Sequence, residues 1–99
     1  MKTEVILRAP DYSVENESIH IIIQNNIEWK LDAYLRKLHK SENPIRIELS
    51  LKRENDKQSQ WKLVITVDAW VYRSERENFD NVHDLVNHLF GHIKEQMGK

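Results

Sequence analysis

From Ile19 to Leu38 the apolar residues return every three or four positions: Ile19, Ile22, Ile23, Ile27, Leu31, Tyr34, Leu35 and Leu38. That spacing puts one apolar stripe on a long helix. Ile21-Ile22-Ile23 is a β-branched run with strand propensity, but the downstream spacing decides for helix. Ser13 and Asn16 are candidate caps before it. Lys37, His39 and Lys40 stand at its end, where cations favour the dipole, and Asn43-Pro44 stops it.

Elsewhere the period is two. Val5 and Leu7 alternate within Thr3 to Arg8, with Ile6 facing the other way and Pro10 ending the segment. Ile45, Ile47, Leu49 and Leu51 alternate with Arg46, Glu48, Ser50 and Lys52, the pattern of a half-buried strand. Arg53 to Gln60 reads as a charged loop. Trp61, Leu63, Ile65 and Val67 then alternate with Lys62, Val64, Thr66 and Asp68. Strand character continues from Ala69 to Ser74, either as one long strand or as a hairpin near Asp68-Ala69. Asp-Ala is a poor turn signal beside Asp-Gly. Asn78 is a candidate N-cap for a second helix, in which Phe79, Val82, Leu85, Val86, Leu89, Phe90, Ile93 and Met97 repeat at three and four.

The order is β-α-β-β-(β)-α over residues 1–99, one α+β domain. The first helix crosses over between two parallel strands. With one apolar stripe each, both helices lie on the same face of a three- to four-stranded sheet. Arg46, Ser50, Lys52, Lys62, Val64 and Thr66 face outward on the open side, a place for a partner to dock.

Composition narrows the function. The chain has 99 residues and no cysteine, so disulfides, zinc ribbons and thiol chemistry are excluded. It has no run of about 20 apolar residues, and its start does not resemble a signal peptide; a cytoplasmic protein without membrane contact is expected. Two glycines are too few for a phosphate-binding loop.

No catalytic constellation is legible, and no cofactor is expected. His88 and His92 are spaced i, i+4 but lack a convincing third ligand, so they read as exposed helix polar residues. His20, His39 and His83 stand in no recognisable spacing to a nucleophile or acid. Glu15 and Glu17 belong to the start of the first helix, where negative charge offsets the dipole. Trp61 is in the inward register. Trp29 lies off the main stripe, either covering a core edge or exposed to a partner. Whichever of Trp70 and Tyr72 faces outward could stack on a base or a protein, although core or dimer packing is the commoner use of such residues.

With 15 Lys/Arg against 16 Asp/Glu the net charge is −1, so nucleic-acid binding must rest on a local patch. Residues 28 to 53 contain seven basic residues (Lys30, Arg36, Lys37, Lys40, Arg46, Lys52, Arg53) against four acids. Arg73 and Arg76 precede the last helix, and Lys94 lies within it. This is where phosphate contacts are credible; an ordinary solvated face of mixed charge is the plain alternative.

The stretches "IRIELSLKREND" and "WKLVITVDAWVYRSERENFDNVHDLVNHLFGHIKEQ" resemble the later strands and final helix of the short ribosome hibernation-promoting factor family, also called ribosome-associated inhibitor A or σ54 modulation protein. Phe79, Val82, Asp84, Leu85, Leu89 and Ile93 fit the places of its last helix. The resemblance implies β-α-β-β-β-α with a hairpin at Asp68-Ala69. It also implies a non-enzymatic protein that binds the small ribosomal subunit through ribosomal RNA phosphates and silences or stores ribosomes under stress or slow growth. The residues it points to are Lys30, Arg36, Lys37 and Lys40 first, then Lys52, Arg53, Arg73, Arg76 and Lys94. The sequence departs from the family in the last helix, where His88, Gly91, His92 and Glu95 stand in place of basic residues. A homodimer or partner complex through the open sheet face is the alternative.

Overall fold

A computed structural model of the chain describes residues 2–12, 14, 16–53, 59–77 and 82–98. Strand β1 (Thr3–Arg8) leads through a 3-10 turn (Pro10–Tyr12) into helix α1 (Asn16–Asn26). A π turn (Ile27–Leu31) joins α1 without a break to α2 (Asp32–Leu38). Strands β2 (Ile45–Arg53), β3 (Ser59–Val67) and β4 (Trp70–Glu77) follow, then helix α3 (Val82–Met97). The proposed caps Ser13 and Asn78, and Phe79, lie outside the described residues.

The sheet has the order β1-β2-β3-β4. β1 is parallel to β2, with Val5 opposite Ile47, and the other pairs are antiparallel. Alternation sets which face each residue takes. Ile45, Ile47, Leu49, Leu51, Trp61, Leu63, Ile65 and Val67 are all buried beneath the helices. Ile19, Ile23, Leu31, Leu35, Leu85, Val86, Leu89, Phe90 and Ile93 close over them, and Trp61 is only 2% exposed. No helix is long and apolar enough to cross a membrane among the described residues.

Three boundaries differ from the sequence reading. The first helix ends at Leu38, before Asn43-Pro44: His39 is extended and its N–H closes the helix on the Leu35 carbonyl at 2.8 Å. The loop expected from Arg53 to Gln60 is shorter, because Arg53 pairs with Ser59 across the β2–β3 ladder. The stretch from 61 to 74 is a hairpin, and Asp68 takes a positive φ of 52°. A short polar side chain tolerates that region. Here the Asp68 carboxylate also accepts hydrogen bonds from the Lys40 backbone N–H at 2.7 Å and from the Ser41 hydroxyl. The turn is specified by this tertiary contact rather than by a glycine.

The π turn has its own cause in the sequence. Ile19, Ile23, Ile27, Leu31 and Leu35 are four apart and all buried. At 3.6 residues per turn, four such steps drift by about 160°. A wider turn with i→i+5 bonds absorbs an extra residue, so the stripe stays on the sheet.

Candidate nucleic-acid interface

The candidate cations do not form one patch. Alternation puts Lys52 and Arg73 on the open sheet face, with Arg8, Arg46 and Lys62. Arg53 and Arg76 have the opposite parity and sit on the helix side of the far end of the sheet. There the Arg53 guanidinium lies 5.2 Å over the Tyr12 ring, which in turn tilts against Trp61 at 5.1 Å. The remaining candidates, Lys30, Arg36, Lys37, Lys40 and Lys94, belong to the helical layer and its end.

Ion pairing separates these cations further. On the open face Arg8 and Arg46 both engage Glu48, at 3.1 and 2.8 Å, and Lys62 approaches Glu75 at 4.0 Å. Arg36 is bound to Asp32 at 2.8 Å, one turn away on the same helix. Lys30, Lys37, Lys40, Lys52, Arg73 and Lys94 make no ion pair among the described residues. An exposed pair adds little stability, but it offsets the charge a phosphate would meet.

Two of the unpaired lysines of the helical layer, Lys30 and Lys94, meet at a furrow between the first helix and α3. Asn26 and Lys30 both bond Asn87, and the Tyr34 hydroxyl lies beside Gly98. The two helices therefore run parallel. Lys30, Tyr34, Gly91, Lys94, Glu95 and Gly98 line the furrow. Lys37 follows Lys30 by two turns, on the same side of the helix. A Cβ built on Gly91 meets nothing within 4 Å, so the missing side chain keeps the furrow open at its middle. Lys30 is half-buried, with its Nζ donating to the Asn87 carbonyl at 3.2 Å. Burial, and after it the Lys94 ammonium, hold the Lys30 ammonium below the usual lysine range. Two cations that repel one another beside a groove are arranged to receive an anion.

The buried Asn26 is the feature the sequence reading missed. It stands in the apolar stripe only 3% exposed. Its Nδ2 donates to the Ile22 carbonyl and to Asn87 Oδ1, both at 2.8 Å, while its Oδ1 has no partner. The signal was an amide in register with Ile19, Ile22 and Ile23.

The aromatics divide cleanly. Trp61 is core, as its register implied. Trp29 is 84% exposed. Trp70 and Tyr72 are two residues apart and share the helix-side face, so neither stands on the open face; Val71 does. Tyr72 packs against the core, and Trp70 protrudes at the hairpin end, 58% exposed. His88 and His92 are exposed, with ring centroids 5.6 Å apart. No group of three His, Asp or Glu among the described residues is placed to hold a metal ion.

No family model matches the sequence, and no curated protein matches it. Among solved structures, the chain is similar to the N-terminal domain of Protein Y from Thermus thermophilus. The TM-score is 0.58 at 14% identity, over 98% of this chain and 96% of that one. At that identity the likeness is one of fold, and it spans the whole α+β arrangement described above.

Proposed function

We propose that this chain is a ribosome-associated translation regulator that binds the small ribosomal subunit and silences or stores ribosomes. It acts by occupancy, as a rigid body held against ribosomal RNA phosphates where messenger and transfer RNA would sit. The observation that carries this reading is the pair of lysines without ion-pair partners, Lys30 and Lys94, in one furrow on the helical layer of a Protein Y fold, with Lys37 two turns on from Lys30. Lys40 stands at the end of the same layer, Arg53 and Arg76 lie at the far end of the sheet, and Lys52 and Arg73, on the open face, are secondary candidates for a contact on that side. The family resemblance in the sequence supplies the partner, and the reading involves no catalytic step and no cofactor.

Docking or dimerisation through the open sheet face finds less support. Its charges are largely paired with one another, across strands in Arg8–Glu48 and Lys62–Glu75 and along β2 in Arg46–Glu48. Its apolar residues are the separated Ile6, Val64 and Val71.

Co-sedimentation with purified small subunits over a salt series tests the proposal. Binding that falls steeply and log-linearly with salt is expected of a phosphate-held plug. Absence of binding at the lowest salt would overturn it.

A further inference from the structure

Next to the lysine furrow lies a smaller cleft of ≈ 220 Å³, lined by Asn25, Asn26, Trp29, Lys30 and Asn87. It is below the roughly 300–1,000 Å³ of sites for drug-sized ligands, and suits a single ring system. Its chemistry is distinct from its surroundings. The adjoining surfaces carry Asp84 and Glu95; the lining of this cleft carries no carboxylate. It offers one indole, three amides and one ammonium.

Each of these groups is costly where it stands without a ligand. Trp29 exposes a large aromatic surface, 84% of it, more than Trp70 at 58%. Asn26 leaves a buried carbonyl oxygen unpartnered, and such atoms are rare in native interiors. Lys30 is drawn into a half-buried place next to another cation. Only one of its three ammonium donors is accounted for by the Asn87 carbonyl.

We infer that this cleft takes one unpaired RNA base, stacked on the Trp29 indole, with amide groups at its polar edge and its phosphate on Lys30. The inference rests on the ribosomal reading above and deepens it, by naming an unstacked base as what the helical layer recognises. RNA displays such bases in loops and bulges, and aromatic side chains stack on them irrespective of sequence. Amides supply both a donor and an acceptor to a base edge.

The test uses the full chain and a short, unstructured, fluorescently labelled RNA at low salt, with an abasic strand of equal length as control. Trp29→Ala is expected to weaken RNA binding about tenfold, the scale of one base stack. Trp29→Phe should restore most of it. The salt slope should stay unchanged in Trp29→Ala and fall by about one in Lys30→Gln. Trp29 is exposed, so the variants keep their fold, and circular dichroism checks this. Equal affinity of parent and Trp29→Ala, or of RNA and the abasic strand, overturns the base site. A parent chain that sediments with small subunits but ignores short RNA also overturns the base site, and leaves the ribosomal reading standing. A parent that binds neither overturns both.

Discussion

On the open sheet face, Arg8, Arg46 and Lys62 each stand within 4.0 Å of a glutamate; in the helical layer, Lys30, Lys37 and Lys94 have no such partner among the described residues. Both surfaces meet water, and both carry basic residues in numbers that a count along the chain would treat alike. Cross-strand register brings opposite charges together on the sheet. The parallel pairing of α2 and α3 brings like charges together in the furrow. Cation number is thus a poor guide to an anion site, and the partner each cation finds is a better one. A chain with net charge −1 can present such a site because the fold brings Lys30 and Lys94 together, against Glu95 in the same lining.

The contrast can be sharpened by substitution. Phe90→Ala, beneath the helices and fully buried, should cost about 3–5 kcal/mol. Val64→Ala, on the open face, should change stability by less than about 0.5 kcal/mol. Urea melts of the two variants measure the difference. Near-equal costs would mean that the open face is covered in solution.

Next in size comes Gly91→Ala. Nothing stands within 4 Å of the added Cβ, and a glycine inside a helix is less stable than alanine by roughly 0.5–1 kcal/mol. The variant should therefore melt higher by that amount. A bulky Gly91→Trp should fill the furrow and lower binding to small subunits without unfolding the chain. Unimpaired binding would place the contact elsewhere.

The smallest effects are those of pH. The Lys30 ammonium titrates below its usual value of 10.5. The unfolded chain then binds more protons between the folded and unfolded values, so stability rises with pH through that window. Lys30→Met should remove this rise from a melt series in alkaline buffer. Asp68 behaves oppositely. Hydrogen bonds from the Ser41 hydroxyl, and then from the Lys40 N–H, hold its carboxyl below 3.8. The stability it contributes is present above that value and is lost as pH falls through the folded value. Asp68→Asn, which keeps the turn, should flatten the acid side of the profile.

The fold was largely legible because periodicity reports burial directly. The alternation of Ile45 to Leu51 and of Trp61 to Val67, and the three-four spacing in α3, fix elements and faces together. What escaped was set by contacts distant in sequence. The hairpin at Asp68 depends on Lys40 and Ser41, 28 and 27 residues away, which no local turn rule contains. The π turn was written in the strict spacing of four from Ile19 to Leu35, but only a required sheet contact turns that drift into a wider turn. The candidate lysines were visible one at a time. Their sorting into a furrow, an open face and a far end needed the register and the parallel helices. Asn26 and the cleft beside Trp29 became visible only when Asn87, 61 residues away, was seen to bond it.

The central claim is that unpaired cations of the helical layer, not the paired cations of the open sheet face, hold the small subunit. Its most direct test sets two charge-reversal pairs side by side, Lys37→Glu with Lys94→Glu, and Arg46→Glu with Lys62→Glu, in co-sedimentation across a salt series. The account predicts that the helical pair lowers the salt slope by about two and abolishes binding at moderate salt, while the sheet pair leaves both nearly unchanged. The reverse order of effects would contradict it.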